Sequence, residues 1–157
     1  MYNKILVPLD GSKVAEAVIP FVEEIILGAK ENRKIEITLL QVVPCKKQIV
    51  AVEGISYLPC SDAELDQIKK PAKTYLDSIG ARFKKHPMVT INILVKAGDD
   101  PAYEILKISD ELNIDLITIS THGRSGISRW ALGSVADRIV RGGDTPVFMV
   151  RASKQIK

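Results

Sequence analysis

The chain has 157 residues, close to one ordinary domain. Hydrophobic residues make up 46% and charged residues 26%, which excludes a disordered chain, and with only 5% aromatic the core must be built from Ile, Val, Leu and Ala. The charge is 22 Lys and Arg against 19 Asp and Glu, scattered in short pairs such as Lys69-Lys70, so the basic stripe of a nucleic-acid binder is missing, and no apolar run approaches the roughly 18 residues of a membrane span.

The chain opens MYNKILVPLDGS, which lacks the length and small-residue cleavage site of a secretory signal and predicts a cytoplasmic protein. Ile5-Leu6-Val7-Pro8-Leu9 is a continuous apolar run and reads as a buried strand. Asp10-Gly11-Ser12 is turn chemistry, with Ser12 placed to cap a helix. Val14, Ala17, Val18, Phe21, Val22 and Ile25 then recur at three and four, predicting one helix that ends at Gly28. Residues 35–43, IEITLLQVV, are rich in β-branched types and predict a second strand, stopped by Pro44.

Residues 44–60 have no clean period and read as a long loop or a short extra element. They hold the only cysteines, Cys45 and Cys60, each directly after a proline. The spacing is wrong for a CxxC pair and no histidine cluster accompanies it, so two free thiols are expected. Ser61 and Glu64 form a capping box before a helix on Leu65, Ile68, Ala72, Tyr75, Leu76, Ile79 and Phe83. Pro71 either kinks that helix or divides it.

Residues 88–95, MVTINILV, alternate and predict a half-exposed edge strand. Pro101 opens the next helix, with Ala102, Ile105, Leu106, Ser109 and Leu112 inward and Tyr103 packing at its start. LITIS, residues 116–120, is a fourth strand. A glycine-spaced segment follows, then a helix from Ser134 to Arg141 closed by Gly142-Gly143, and a fifth strand over 146–150. Each crossover contains a helix, which predicts a single open three-layer α/β/α sandwich with a mostly parallel five-stranded sheet. One domain spans 1–157.

Such sheets bind ligands beyond the carboxyl ends of their strands. Two features arrive there: Pro8 to Ser12 after the first strand, and Ser120 to Ser134 after the fourth. They are neighbours if the strand order is 3-2-1-4-5. Gly123 and Gly133 permit close backbone approach. Ser134 stands at a helix mouth, where its N–H and those of Val135 and Ala136 would face an anion. Arg124 and Arg129 add positive charge, whereas a plain turn needs only the glycines. There is no GxxxxGK[ST] and no GxGxxG after the first strand. Asp10 either accepts hydrogen bonds from a ribose, or faces a divalent ion, or caps its own turn. His122 is the only histidine near these loops and has no partner for a metal cluster or a catalytic triad.

The stretches KILVPLDGS, STHGRSGISRWALGSVADRIV and TPVFMV resemble the universal stress protein family of the UspA type, in order and spacing, over essentially the whole chain. The resemblance implies the 3-2-1-4-5 sandwich. It also implies the family's ATP motif, G-x2-G-x9-G-[ST], in which Gly123, Gly133 and Ser134 match and Ser120 stands where the motif has glycine. By the same resemblance Pro8, Leu9 and Asp10 lie against adenosine and Val42 contacts adenine. His122, Arg124 and Gly126 fall in the loop over the phosphates, and Ser134 and Val135 hold them. Mg2+ or Mn2+ accompanies ATP, with Asp10 as its candidate protein ligand. Homodimers form through the last strand, 146–150.

The expected function is ATP binding by a stress-response regulator with little or slow turnover. The alternatives are a dimeric interaction protein that holds no nucleotide, supported by Ser120, and a slow ATPase, which would need Asp10 or His122 as a base.

Overall fold

A computed structural model describes residues 2–29, 33–45, 48–51, 55–58, 60–122 and 133–152. Five parallel strands form the sheet: β1 (Lys4–Pro8), β2 (Ile35–Val43), β5 (Val89–Ala97), β6 (Leu116–His122) and β7 (Val147–Ala152). Their order is β5-β2-β1-β6-β7, the 3-2-1-4-5 arrangement expected from the sequence. Register places Pro8 beside Leu40 and Leu6 beside Ile117, so β1 lies between the strands whose carboxyl ends flank the two loops.

The central strands β1, β2 and β6 are buried on both faces because helices cover both. One core holds Ile5, Val7, Leu9, Ile37 and Leu39, packed with Val18, Val22, Leu76 and Phe83. The other holds Leu6, Leu40, Ile117 and Ile119, packed with Ile105, Ile108 and Ile139. Period-two alternation along each strand separates the two sets. The helices concerned are α2 (Ile19–Leu27) and α3 (Asp62–Gly80) on the first face, and α4 (Pro101–Glu111) and α5 (Ser134–Gly142) on the second.

Several local expectations are corrected. The single helix after Ser12 is two pieces, α1 (Lys13–Glu16) and α2, because Pro20 in the first turn of α2 has no N–H and its ring excludes the carbonyl four residues back. Phe21 therefore turns outward and meets Phe148 of β7, with ring centroids 6.0 Å apart. Of the two outcomes expected at Pro71, division does not occur: α3 runs through it, with Ala72, Leu76 and Ile79 buried on the sheet side and Pro71 exposed. Tyr103 is exposed rather than packed. The Ser61–Glu64 capping box is present, with Ser61 N–H and Oγ–H both donating to Glu64 Oε2 at 2.8 Å.

Residues 44–60 carry a hairpin of β3 (Gln48–Ala51) and β4 (Ile55–Leu58), paired antiparallel. The pairing of Gln48 with Leu58 carries the flanking chains toward one another. Cys45 and Cys60 are consequently joined in a disulfide, with Cα atoms 6.5 Å apart, and are not the free thiols expected.

Candidate functional site at the carboxyl edge of the sheet

The first loop is set by local chemistry. Leu9 N–H donates to Leu40 C=O at 2.8 Å, which keeps the chain on the sheet for one residue past β1. Gly11 then takes φ +83°, a left-handed turn that residues with a Cβ rarely adopt. The Asp10 carboxylate accepts Ser12 N–H at 2.9 Å, and Ser12 Oγ accepts Ala15 N–H at 3.0 Å, capping α1. The local-cap role of Asp10 is thus realised, and its carboxylate remains exposed at the sheet edge.

A cavity of about 240 Å³ opens beside this loop. Pro8, Leu9, Asp10, Val42, Ser120 and Val135, all singled out from the sequence, line it. Ala15, Leu40, Pro101, Ile105, Ile119, Ala136 and Ile139 complete the wall. Apart from Ala136, whose N–H the sequence had placed at the helix mouth, sequence reasoning missed these as site residues because each also fits a core role. Leu40 and Ile119 could have been found from their parity: each stands three residues before its strand's end, in the core that α4 and α5 cover. The lining is mainly aliphatic with one carboxylate at the rim, which suits a flat apolar ring carrying hydroxyls.

Ser134 does not line that cavity. It lines an adjoining one of about 210 Å³, with Asp99, Asp100, Pro101, Val135 and Arg138. Pro101 and Val135 border both. Here the α5 N-terminus has Gly133 as its cap residue and no side-chain cap bond, so the first N–H groups of that helix are left for another acceptor. Gly133 has φ −58°, and among the described residues an added Cβ would meet nothing within 4 Å.

An unforeseen ion pair spans the two helix mouths. Arg138 donates through Nη1 and Nη2 to the two Asp100 oxygens at 2.8 and 2.7 Å, while Asp100 also caps α4 by accepting Tyr103 N–H at 3.1 Å. The guanidinium hydrogen bond, then the Tyr103 N–H, hold the Asp100 carboxyl below its ordinary pKa, and the carboxylate in turn raises that of Arg138. The paired spacing of an acidic cap and an arginine 38 residues on carries no sequence signal.

Ser120 lines the larger cavity, and its hydroxyl donates to the Val14 carbonyl of α1. The backbone of His122 ends β6. Gly123, Arg124, Gly126, Arg129 and Trp130 lie outside the described residues. Among the described residues no group of three or more His, Cys, Asp or Glu could hold a metal ion. No helix of the described residues is long and apolar enough to cross a membrane.

A parallel sheet covered by helices on both faces, with a two-part cleft at its carboxyl edge, defines an open three-layer α/β/α sandwich. The universal stress protein family matches residues 1–151, and the chain belongs to that family. It is 27% identical to universal stress protein MJ0577 of Methanocaldococcus jannaschii, over 96% of both chains, and 28% identical to universal stress protein YxiE of Bacillus subtilis, over 96% of this chain and 100% of the other. Among solved structures it shares its fold with MJ0577 (TM-score 0.68, 23% identity, 99% of each chain). It also shares it with a family protein of Arabidopsis thaliana that has AMP bound (TM-score 0.63, 17% identity, 97% and 93% covered), and with a universal stress protein in complex with cAMP (TM-score 0.63, 21% identity, 97% and 98% covered).

Proposed function

We propose that this chain is an ATP-binding stress-response regulator with little or slow turnover, working as a homodimer. The carrying observation is the two-part cleft: an aliphatic cavity rimmed by Asp10, joined at Pro101 and Val135 to a second cavity at the uncapped start of α5. In this reading the adenine lies against Val42 and Leu40, and Asp10 accepts hydrogen bonds from the ribose. The phosphates approach Ser134 and the N–H groups of Val135 and Ala136. The 240 Å³ cavity is below the usual size of a whole-ligand pocket and suits the nucleoside part. Relatives of the same fold that hold AMP and cAMP make adenine nucleotides the class to test first. Mg2+ or Mn2+ would neutralise phosphate charge beside Asp10, ligated chiefly by the phosphates themselves.

The chemistry of the described lining supports slow turnover. Asp10 is the one carboxylate on the larger cavity and already accepts Ser12 N–H, and no histidine lines either cavity among the described residues.

The test is made on protein purified without added nucleotide. It is denatured, the released small molecules are identified by mass spectrometry, and stripped protein is titrated with ATP and Mg2+ by calorimetry. Retained adenine nucleotide or micromolar binding is expected. No released nucleotide and no binding heat at several temperatures would overturn the reading in favour of a nucleotide-free interaction protein.

A further inference from the structure

We propose that Ser120 is a positioning residue, whose hydroxyl clips α1 to the carboxyl end of β6 and so fixes the wall of the larger cavity. The ligand part of this inference rests on the nucleotide reading above, and the clip itself does not.

Helix α1 has four residues and none of them is buried. A helix this short has little propagation to stabilise it. Ala15 packs against the first core, and polar contacts complete the placement of α1. The structure supplies three. Ser12 caps its start by accepting Ala15 N–H at 3.0 Å. Tyr75 of α3 donates its hydroxyl to Glu16 Oε1 at 3.4 Å, a long bond. Ser120 donates to the Val14 carbonyl. The first contact is local to the loop, and the second is weak by its length. Ser120 is the direct hydrogen bond from the sheet.

What α1 carries gives that bond its consequence. Ala15 forms part of the cavity wall, and the loop leading into α1 presents Asp10. Ser120 is near the end of β6, where the glycine-spaced segment departs. One hydroxyl therefore joins the two chain segments that border the cavity. Glycine at this position could not make the bond. The serine lines the cavity beside Ala15 of α1, and its proton is already committed to protein.

The experiment compares wild type with Ser120→Ala, Ser120→Gly and Ser120→Thr. Backbone amide exchange is followed in ligand-free protein, and affinity for AMP and for ATP with Mg2+ is measured by calorimetry. Loss of a neutral hydrogen bond should speed exchange at Glu16 and Ala17 about fivefold in the alanine and glycine variants, with amides of β1 and β2 unchanged. Nucleotide affinity should fall by a similar factor, and threonine, which keeps the hydroxyl, should restore both. In an Asp10→Asn background the affinity loss from Ser120→Ala should shrink, because both changes act on one loop.

Unchanged exchange at α1 in Ser120→Ala would overturn the clip whether or not nucleotide binds. Tighter nucleotide binding in Ser120→Gly would overturn it too, and would make the serine an obstruction. Faster α1 exchange in a protein whose wild type binds no nucleotide would support the clip and overturn the nucleotide reading alone. If the alanine and glycine variants fail to fold, the threonine variant carries the test: α1 exchange and affinity at wild-type values support the clip, and loss of both in a folded protein overturns it.

Discussion

At the scale of single residues, the sharpest position is Gly133. A glycine is usually retained for a positive φ or for crowding by the protein; here φ is −58°, and among the described residues an added Cβ meets open space. In the nucleotide reading, the missing Cβ makes room for the approaching phosphates. Gly133→Ala should therefore leave the thermal midpoint within about a degree of wild type. ATP affinity should fall about tenfold, or ~1.4 kcal/mol, with adenosine affinity unchanged. Calorimetry with the two ligands checks this, and equal losses for both would place the effect outside the phosphate region.

Asp115 is the other residue with a defined consequence. Its carboxylate accepts Lys4 N–H at 2.9 Å and Asn3 N–H at 2.8 Å, which fastens the start of β1 to the start of β6. These two bonds, Lys4 first, hold its pKa below the ordinary aspartate value. A folded pKa below the unfolded one means a contribution present above about pH 4 and lost as pH falls through the folded value. In urea unfolding between pH 3 and 7, Asp115→Asn should be less stable than wild type at pH 7, and the difference should shrink toward pH 3. A constant difference would show that the charge has no part in it.

At the scale of elements, the 44–60 connection is where the covalent structure matters most. The Cys45–Cys60 disulfide closes a segment with a sequence separation of 15, and closure of a loop that size stabilises by about 3 kcal/mol in chain-entropy terms. A dithiol reductant, or the paired change Cys45→Ser with Cys60→Ser, should lower the unfolding free energy by up to that amount and leave the far-ultraviolet circular dichroism nearly unchanged. Equal stability with and without reductant would mean that the reduced chain already holds these ends together.

This connection also shows where the sequence was hard to read. The five main strands were legible because each is a continuous apolar or β-branched run bounded by turn residues, as in Ile35–Val43. The hairpin was not, because Gln48–Ala51 and Ile55–Leu58 are four residues each, too short for either period to declare itself. The disulfide was hidden behind the hairpin, since only antiparallel pairing brings the cysteines together. Pro20 gave a local signal for the break between α1 and α2, but the apolar spacing from Val14 to Ile25 masked it. At Pro71 the helix continues: tertiary burial of Ala72, Leu76 and Ile79, roughly 1.5–3 kcal/mol for a side chain such as Leu76, offsets the local cost of proline. The cavity-lining residues legible from sequence were those at strand ends, in the first loop and at the start of α5, such as Pro8, Asp10, Val42 and Ser134. The aliphatic wall became visible only when the fold placed Leu40, Ile105 and Ile119 together.

At the scale of the whole molecule, the open sheet leaves two edges, β5 and β7. Exposed edges invite pairing unless they are guarded. β5 carries its own guards: Asn92, which donates to Glu36 Oε1 at 2.6 Å on the neighbouring strand, and Lys96. β7 presents Val147, Phe148 and Met149 instead, and Phe148 is 37% exposed beside the equally open Phe21. The apolar stretch 147–149 flanked by an aromatic pair, with Arg151 as the strand's charged residue, is the surface on which a second copy would add its own β7. Wild-type protein should therefore sediment as a dimer at micromolar concentrations. Phe148→Glu puts a carboxylate into that patch without touching either core cluster, and it should sediment as a monomer with an unaltered helical signal. A dimer that survives the glutamate would move the interface away from the Phe21–Phe148 patch, and a monomeric wild type would leave β7 as an edge guarded by its shortness alone.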